Sequence, residues 1–102
     1  MTWKLFLDDE RFPVDDTWTI ARTVPEALNL LKTKGLPSHM SLDHDLGENQ
    51  ETGYDFVKKC ANYCIDLNIQ FSPDFYVHSQ NPIGKQNMDF YWANYQEYYM
   101  ED

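Results

Sequence analysis

Lys4-Leu5-Phe6-Leu7-Asp8-Asp9-Glu10-Arg11-Phe12-Pro13 is the stretch on which the fold turns. Residues 3–7 are almost continuously apolar, as expected for a strand of a parallel sheet covered on both faces. Asp8 and Asp9 close the run, and Pro13 confirms the break. The same grammar recurs twice. Met40-Ser41-Leu42 closes on Asp43-His44-Asp45, and Phe75-Tyr76-Val77 closes on His78-Ser79. Each polar group stands at the C-terminal end of a predicted strand, the edge where open α/β sheets bind ligands. Three such groups at equivalent positions argue for a site.

Between these runs the chain reads as helices and one further strand. Thr17-Trp18-Thr19-Ile20-Ala21 is a short strand. The link before it is about ten residues, shorter than the usual parallel crossover, so its direction stays open. Thr23-Val24-Pro25-Glu26 is a capping-box pattern, with Ala27, Leu28, Leu30 and Leu31 as the apolar stripe behind it. Gly35 and Pro37 end that helix. Residues 39–43 form the third strand. Thr52 caps a second helix, with Asp55 at its third position, and Phe56, Val57, Cys60, Ala61, Cys64 and Leu67 recur at helical spacing. Residues 75–77 are the fourth strand. A last helix covers roughly 84–99, with Met88, Tyr91, Trp92, Tyr95 and Tyr99 on one side. The expected architecture is one domain over residues 1–102, a small three-layer α/β unit of about four mostly parallel strands. A flavodoxin-like order, with the first strand central, sets Asp8, Asp43 and His78 side by side.

Composition narrows the function classes. The 102 residues carry a formal net charge of −9, which repels the phosphate backbone of polynucleotides. A small phosphorylated ligand remains compatible if a divalent cation bridges it to carboxylates. No apolar run reaches the length of a membrane span and no signal peptide is visible, so the expected location is the cytoplasm. Cys60 and Cys64 lie four apart in a helix, without a second ligand pair for zinc, and read as buried free thiols.

The three strand-end groups carry the chemistry. Adjacent carboxylates such as Asp8 and Asp9 repel unless something positive sits between them, and Mg²⁺ or Mn²⁺ takes oxygen ligands of this kind. Alternatively, one of the two caps a turn and the other is solvated. Period-two geometry points Asp43 and Asp45 to one side and His44 to the other, and a carboxylate beside an imidazole orients it. In the third group, His78-Ser79-Gln80-Asn81-Pro82-Ile83-Gly84-Lys85-Gln86-Asn87, backbone amides at a helix start attract an anion. There Gly84 allows close approach, Lys85 adds charge, and Ser79, Asn81 and Asn87 add neutral donors; plain helix capping by Ser79 or Asn81 fits as well. Arg11 either contacts phosphate or pairs with a neighbouring acid. The aromatic C-terminal helix shows more than one face and is the expected homodimer contact.

These segments, taken together with Thr52-Gly53-Tyr54-Asp55 and Asn87-Met88, resemble the cyclic-phosphate processing receiver-like domain family across nearly the whole chain. The resemblance implies a receiver-like fold truncated relative to a full receiver, without a fifth strand or a first helix of normal length. It implies that Asp8 and Asp9 are the acidic metal-holding pair, that Asp43 stands where the phosphoacceptor aspartate is, and that Ser79 stands at the Ser/Thr position after the fourth strand. His44, Asp45 and His78 lie in the segments that carry this resemblance and are additions only to the broader pattern of response-regulator receiver domains. The family occurs in bacteria and phages, so a phage origin, and then the host cytoplasm, fits.

Three readings follow. The first is a phosphoesterase for a cyclic phosphate or cyclic nucleotide, with Asp8, Asp9 and Asp43 on one divalent metal (Mg²⁺ or Mn²⁺). In it Asp43, His44, Asp45 and His78 are the catalytic group, and Arg11, Ser79, Asn81, Gly84, Lys85 and Asn87 hold the ligand. The second is a protein that sequesters such a ligand without turnover. The third is a phosphoacceptor module built on Asp43.

Overall fold

A computed structural model describes residues 2–100, with side chains as far as Tyr98. The elements run β1 (Lys4–Leu7), β2 (Trp18–Ala21), α1 (Val24–Lys34), β3 (His39–Leu42), α2 (Gly53–Asp66), β4 (Asp74–Val77) and α3 (Pro82–Met100). The four strands form one sheet in the order β2-β1-β3-β4, and every pair is parallel. This is the flavodoxin-like order, with its switch point between β1 and β3.

Local chemistry sets the helix ends. Thr52 and Asp55 form a reciprocal capping box at the start of α2. At α1, Thr23 caps the Glu26 amide, while the Glu26 carboxylate reaches one residue further back, to the amide of Arg22 at 2.8 Å. Gly35 takes φ +82°, and its amide closes α1 on the Leu31 carbonyl. α3 starts at Pro82, two residues ahead of the expected start. Pro82 suits the first helical position, and the Asn81 side chain accepts from the Gly84 amide at 2.9 Å as its cap.

β2 runs parallel to β1 even though its link is short. A four-residue strand is only about 13 Å long, and ten extended residues span about 33 Å, so no helix is needed to return to its start. This loop also changes the layering. The steps β2 to β3 and β3 to β4 cross the sheet in one direction, and right-handed crossovers place α1 and α2 on the same face. The reverse step, β1 to β2, has only the loop. Leu5, Leu7, Met40, Leu42 and Val77 accordingly share one core with Ala27, Leu31, Phe56, Val57, Met88 and Trp92 of the helices. The alternate strand residues Lys4, Phe6, Trp18, Ile20, His39, Ser41 and Tyr76 lie outside that core, and Tyr76 is 59% exposed. The coverage of both faces read from β1 is therefore found on one, and no described helix forms a third layer.

Cys60 and Cys64 are buried free thiols. Met88, Trp92 and Tyr95 turn inward from α3, with Trp92 stacked on Phe75, while Phe90 and Tyr98 are exposed. The side chain of Tyr99 lies outside the described residues. Among the described residues, no helix is long and apolar enough to cross a membrane.

Candidate functional site

The sheet ends on a shared rung. Asp8 donates its amide to the Ala21 carbonyl, Asp43 to that of Leu7, and His78 to that of Leu42, at 2.8–3.1 Å. Each is the first residue past its strand, and each is fixed by its neighbour's last carbonyl. The rung therefore reads Asp8, Asp43, His78 across the switch point, with Arg22 completing it after β2. One ligand atom from each of Asp8, Asp43 and His78 falls within 4.8 Å of the others.

Asp8 is fully buried. Burial pushes its carboxyl up, but the amides of Arg11 and Glu10 and the His78 ring together outweigh this and hold it below the ordinary value. Oδ1 accepts from both amides, at 2.9 and 3.0 Å, and Oδ2 faces His78 Nε2 at 2.9 Å and Arg11 Nε at 3.6 Å. Because the folded value lies below the unfolded one, the stabilisation from Asp8 is complete above about pH 4 and is lost as pH falls through the folded value. Urea unfolding across pH 3–7 should therefore show a loss of stability below pH 4 that is shallower in Asp8→Asn.

His78 is held on three sides. Nδ1 meets Ser41 Oγ at 2.8 Å, Nε2 meets Asp8, and the ring stacks on Phe6 with centroids 4.7 Å apart and planes 6° from parallel. Asp43 is nearly buried, and its Oδ1 accepts from the His44 amide at 2.8 Å. His44 turns the other way. Its Nδ1 meets Asp45 Oδ1 at 2.9 Å and its ring lies against Gly84, where an added Cβ would fall 2.5 Å from ring carbons. The close approach that Gly84 permits is thus to this imidazole.

Above the rung opens a hollow of about 600 Å³. Asp9, Glu10, Arg11, Asp43 and Asp45 line it, with Ser79, Gln80 and Gly47 completing the wall. Gly47 adopts φ +115° beside the Asp9 carboxylate, a conformation that favours glycine. Four lining carboxylates thus face one guanidinium. Such a wall repels an anion unless a cation joins it. The carboxylate oxygens are donors of the kind Mg²⁺ and Mn²⁺ take, while the His78 imidazole is a ligand more usual for softer transition metals.

The remaining residues singled out in the sequence fall elsewhere. Ser79 Oγ accepts from the Asn81 amide and Asn81 caps α3, so both serve the helix start, while Ser79 also lines the hollow. Lys85 pairs with Asp89 at 3.1 Å beside a different depression, and Asn87 is exposed on α3. The third histidine of the chain, His39, pairs with Asp74 near the N-terminal ends of the strands, away from the site.

Three residues at the site were not read from the sequence: Ser41, Arg22 and Glu10. Arg22 Nη1 donates to the carbonyls of Asp8 (2.9 Å) and Arg11 (2.7 Å), tying down the loop that carries Asp9. The strand-end rule finds Arg22 once it is applied to β2 as well. Arg22→Gln should cost about 1–3 kcal/mol, the scale for hydrogen bonds made by a charged group, in chemical unfolding.

Residues 3–94 match the family model of the cyclic-phosphate processing Receiver domain. The chain belongs to this family. No curated protein and no solved structure gave a match. The family assignment agrees with the parallel order β2-β1-β3-β4 and with a polar edge at the β1/β3 switch point.

Proposed function

We propose that this receiver-like domain is a phosphoesterase that opens a small cyclic phosphate or cyclic nucleotide with the help of a divalent cation. The observation that carries this reading is the close grouping of Asp8, Asp43 and His78, of which Asp43 also lines a carboxylate-walled hollow. The family's name supplies the substrate class. Asp8, Asp9 and Asp43 are the residues that would hold Mg²⁺ or Mn²⁺, beside the His78 imidazole. Such a cation polarises phosphoryl oxygens and makes water a better nucleophile near neutral pH.

The reaction is a hydrolysis. Water attacks phosphorus, one ring P–O bond breaks, and the leaving oxygen takes a proton, giving a linear monoester. Arg11, at the wall of the hollow, faces the non-bridging oxygens, with Ser79 as a neutral donor. Both nitrogens of His78 are engaged. His44 does not line the hollow, but it is held at Nδ1 by Asp45, which does; Nε2 is left for the proton of the leaving group, so His44 is assigned as general acid from the rim and Asp45 as the residue that orients it.

Sequestration without turnover calls for neutral donors and aromatics around the ligand. The hollow carries four carboxylates against only Ser79 and Gln80 as neutral side-chain donors, and no aromatic side chain, which favours hydrolysis. The test is incubation with 2′,3′-cyclic nucleotides and cyclic oligonucleotides in Mg²⁺, Mn²⁺ or EDTA, read by chromatography and mass spectrometry. A linear product that is lost in EDTA is expected. Ligand that co-purifies intact, with no product under any condition, would replace hydrolysis by binding.

A further inference from the structure

We propose that Ser41 is the positioning residue for His78, and that its hydroxyl serves the ring in two opposite hydrogen-bonding roles. The inference rests on the cation reading above for the second of these roles only. Ser41 lies in the middle of β3, on the sheet face without helices, beside Phe6 in the register of β1 and Tyr76 in that of β4. Its Oγ is 2.8 Å from His78 Nδ1, and the opposite nitrogen is 2.9 Å from Asp8 Oδ2.

An ionised carboxylate only accepts hydrogen bonds. In the neutral ring, with Asp8 on Nε2, that nitrogen carries the proton and Nδ1 is a bare acceptor. Ser41 then donates. If Nε2 instead turns a lone pair to a cation between Asp8 and Asp43, the ring proton must sit on Nδ1, and Ser41 must accept it. A ligating histidine is fixed in this way by a partner on its other nitrogen. A carboxylate or a backbone carbonyl at this position could only accept, which would commit the ring to one tautomer. A hydroxyl rotates to suit both. Phe6, stacked on the ring, keeps it in plane during the exchange.

Two substitutions separate this role from simple packing. Ser41→Ala removes the hydroxyl, and Ser41→Thr keeps it with a side chain suited to a strand. The first readout is the ¹⁵N spectrum of the His78 imidazole in metal-free protein. The second is Mn²⁺ affinity, followed by electron paramagnetic resonance of the free ion. At a pH where the ring is neutral, the wild type should show one tautomer, with Nε2 protonated and Nδ1 accepting. Ser41→Ala should shift the Nδ1 resonance toward that of an unbonded nitrogen and weaken Mn²⁺ binding about 10–100-fold, and Ser41→Thr should restore both.

An unchanged imidazole spectrum in Ser41→Ala overturns the proposal, whatever Mn²⁺ does. Unchanged Mn²⁺ affinity beside an altered spectrum overturns the second role. If the wild type binds no Mn²⁺, the cation reading fails, and the spectra alone decide the first role.

Discussion

Asp43→Asn is expected to lower turnover of a cyclic phosphate by about 10³-fold, the scale of several kcal/mol of lost charge stabilisation. The variant should fold. Asparagine keeps an Oδ1 that accepts from the His44 amide, as Asp43 does at 2.8 Å. It also removes one negative charge from a wall that holds Asp9, Glu10 and Asp45 and stands above Asp8, so like-charge repulsion falls. The melting temperature should therefore be unchanged or higher while activity is lost, a split that a purely structural role for Asp43 does not produce. Parallel assay and thermal unfolding would check it. A variant as active as the wild type would remove Asp43 from the chemistry.

Gly53→Ala should be the most damaging small substitution in the chain. A Cβ there would lie 1.9 Å from the Asp43 carbonyl oxygen and 2.8 Å from Met88 Cε. The methionine end can move, but the backbone carbonyl cannot yield cheaply, because Gly53 donates its own amide to the His44 carbonyl and Asp43 donates to Leu7. Overpacking against backbone should cost about 3 kcal/mol, a large part of the 5–15 kcal/mol that typically stabilises a domain. The loop from Asp43 to Gly53 would shift with it, so any folded fraction should lose activity as well. Gly84→Ala provides the comparison. Its clash is with the His44 side chain, which can swing aside, and a loss of about 1 kcal/mol is expected in chemical denaturation.

Much of this site was legible because the signals are local. An apolar run that stops at an acid marks a strand end, and the strand ends supplied Asp8, Asp43 and His78. The Thr52–Asp55 box marked the start of α2 for the same reason. What the sequence left open depends on register. Ser41 reads as one polar residue in an apolar strand until β3 is aligned with β4, and only then does its hydroxyl fall beside His78. Arg22 joins the rung only once β2 is known to run parallel, which the short link left undecided. The open sheet face follows from a missing crossover, and strand composition does not report it, because Phe6 and Trp18 are as apolar as covered residues would be. At the start of α3, Asn81 and Gly84 suit anion binding and helix capping equally well by type. Their hydrogen bond, and the packing of Gly84 against His44, show the structural use.

The most direct test of the account is hydrolysis in ¹⁸O-labelled water with Mn²⁺ present. Purified protein would be incubated with a 2′,3′-cyclic nucleotide and with cyclic oligonucleotides, and the nucleotides weighed by mass spectrometry. A cation-assisted hydrolysis gives a linear monoester carrying one ¹⁸O atom per bond opened, formed with Mn²⁺ and absent with EDTA. Recovery of every cyclic ligand unlabelled and intact in both conditions would contradict it.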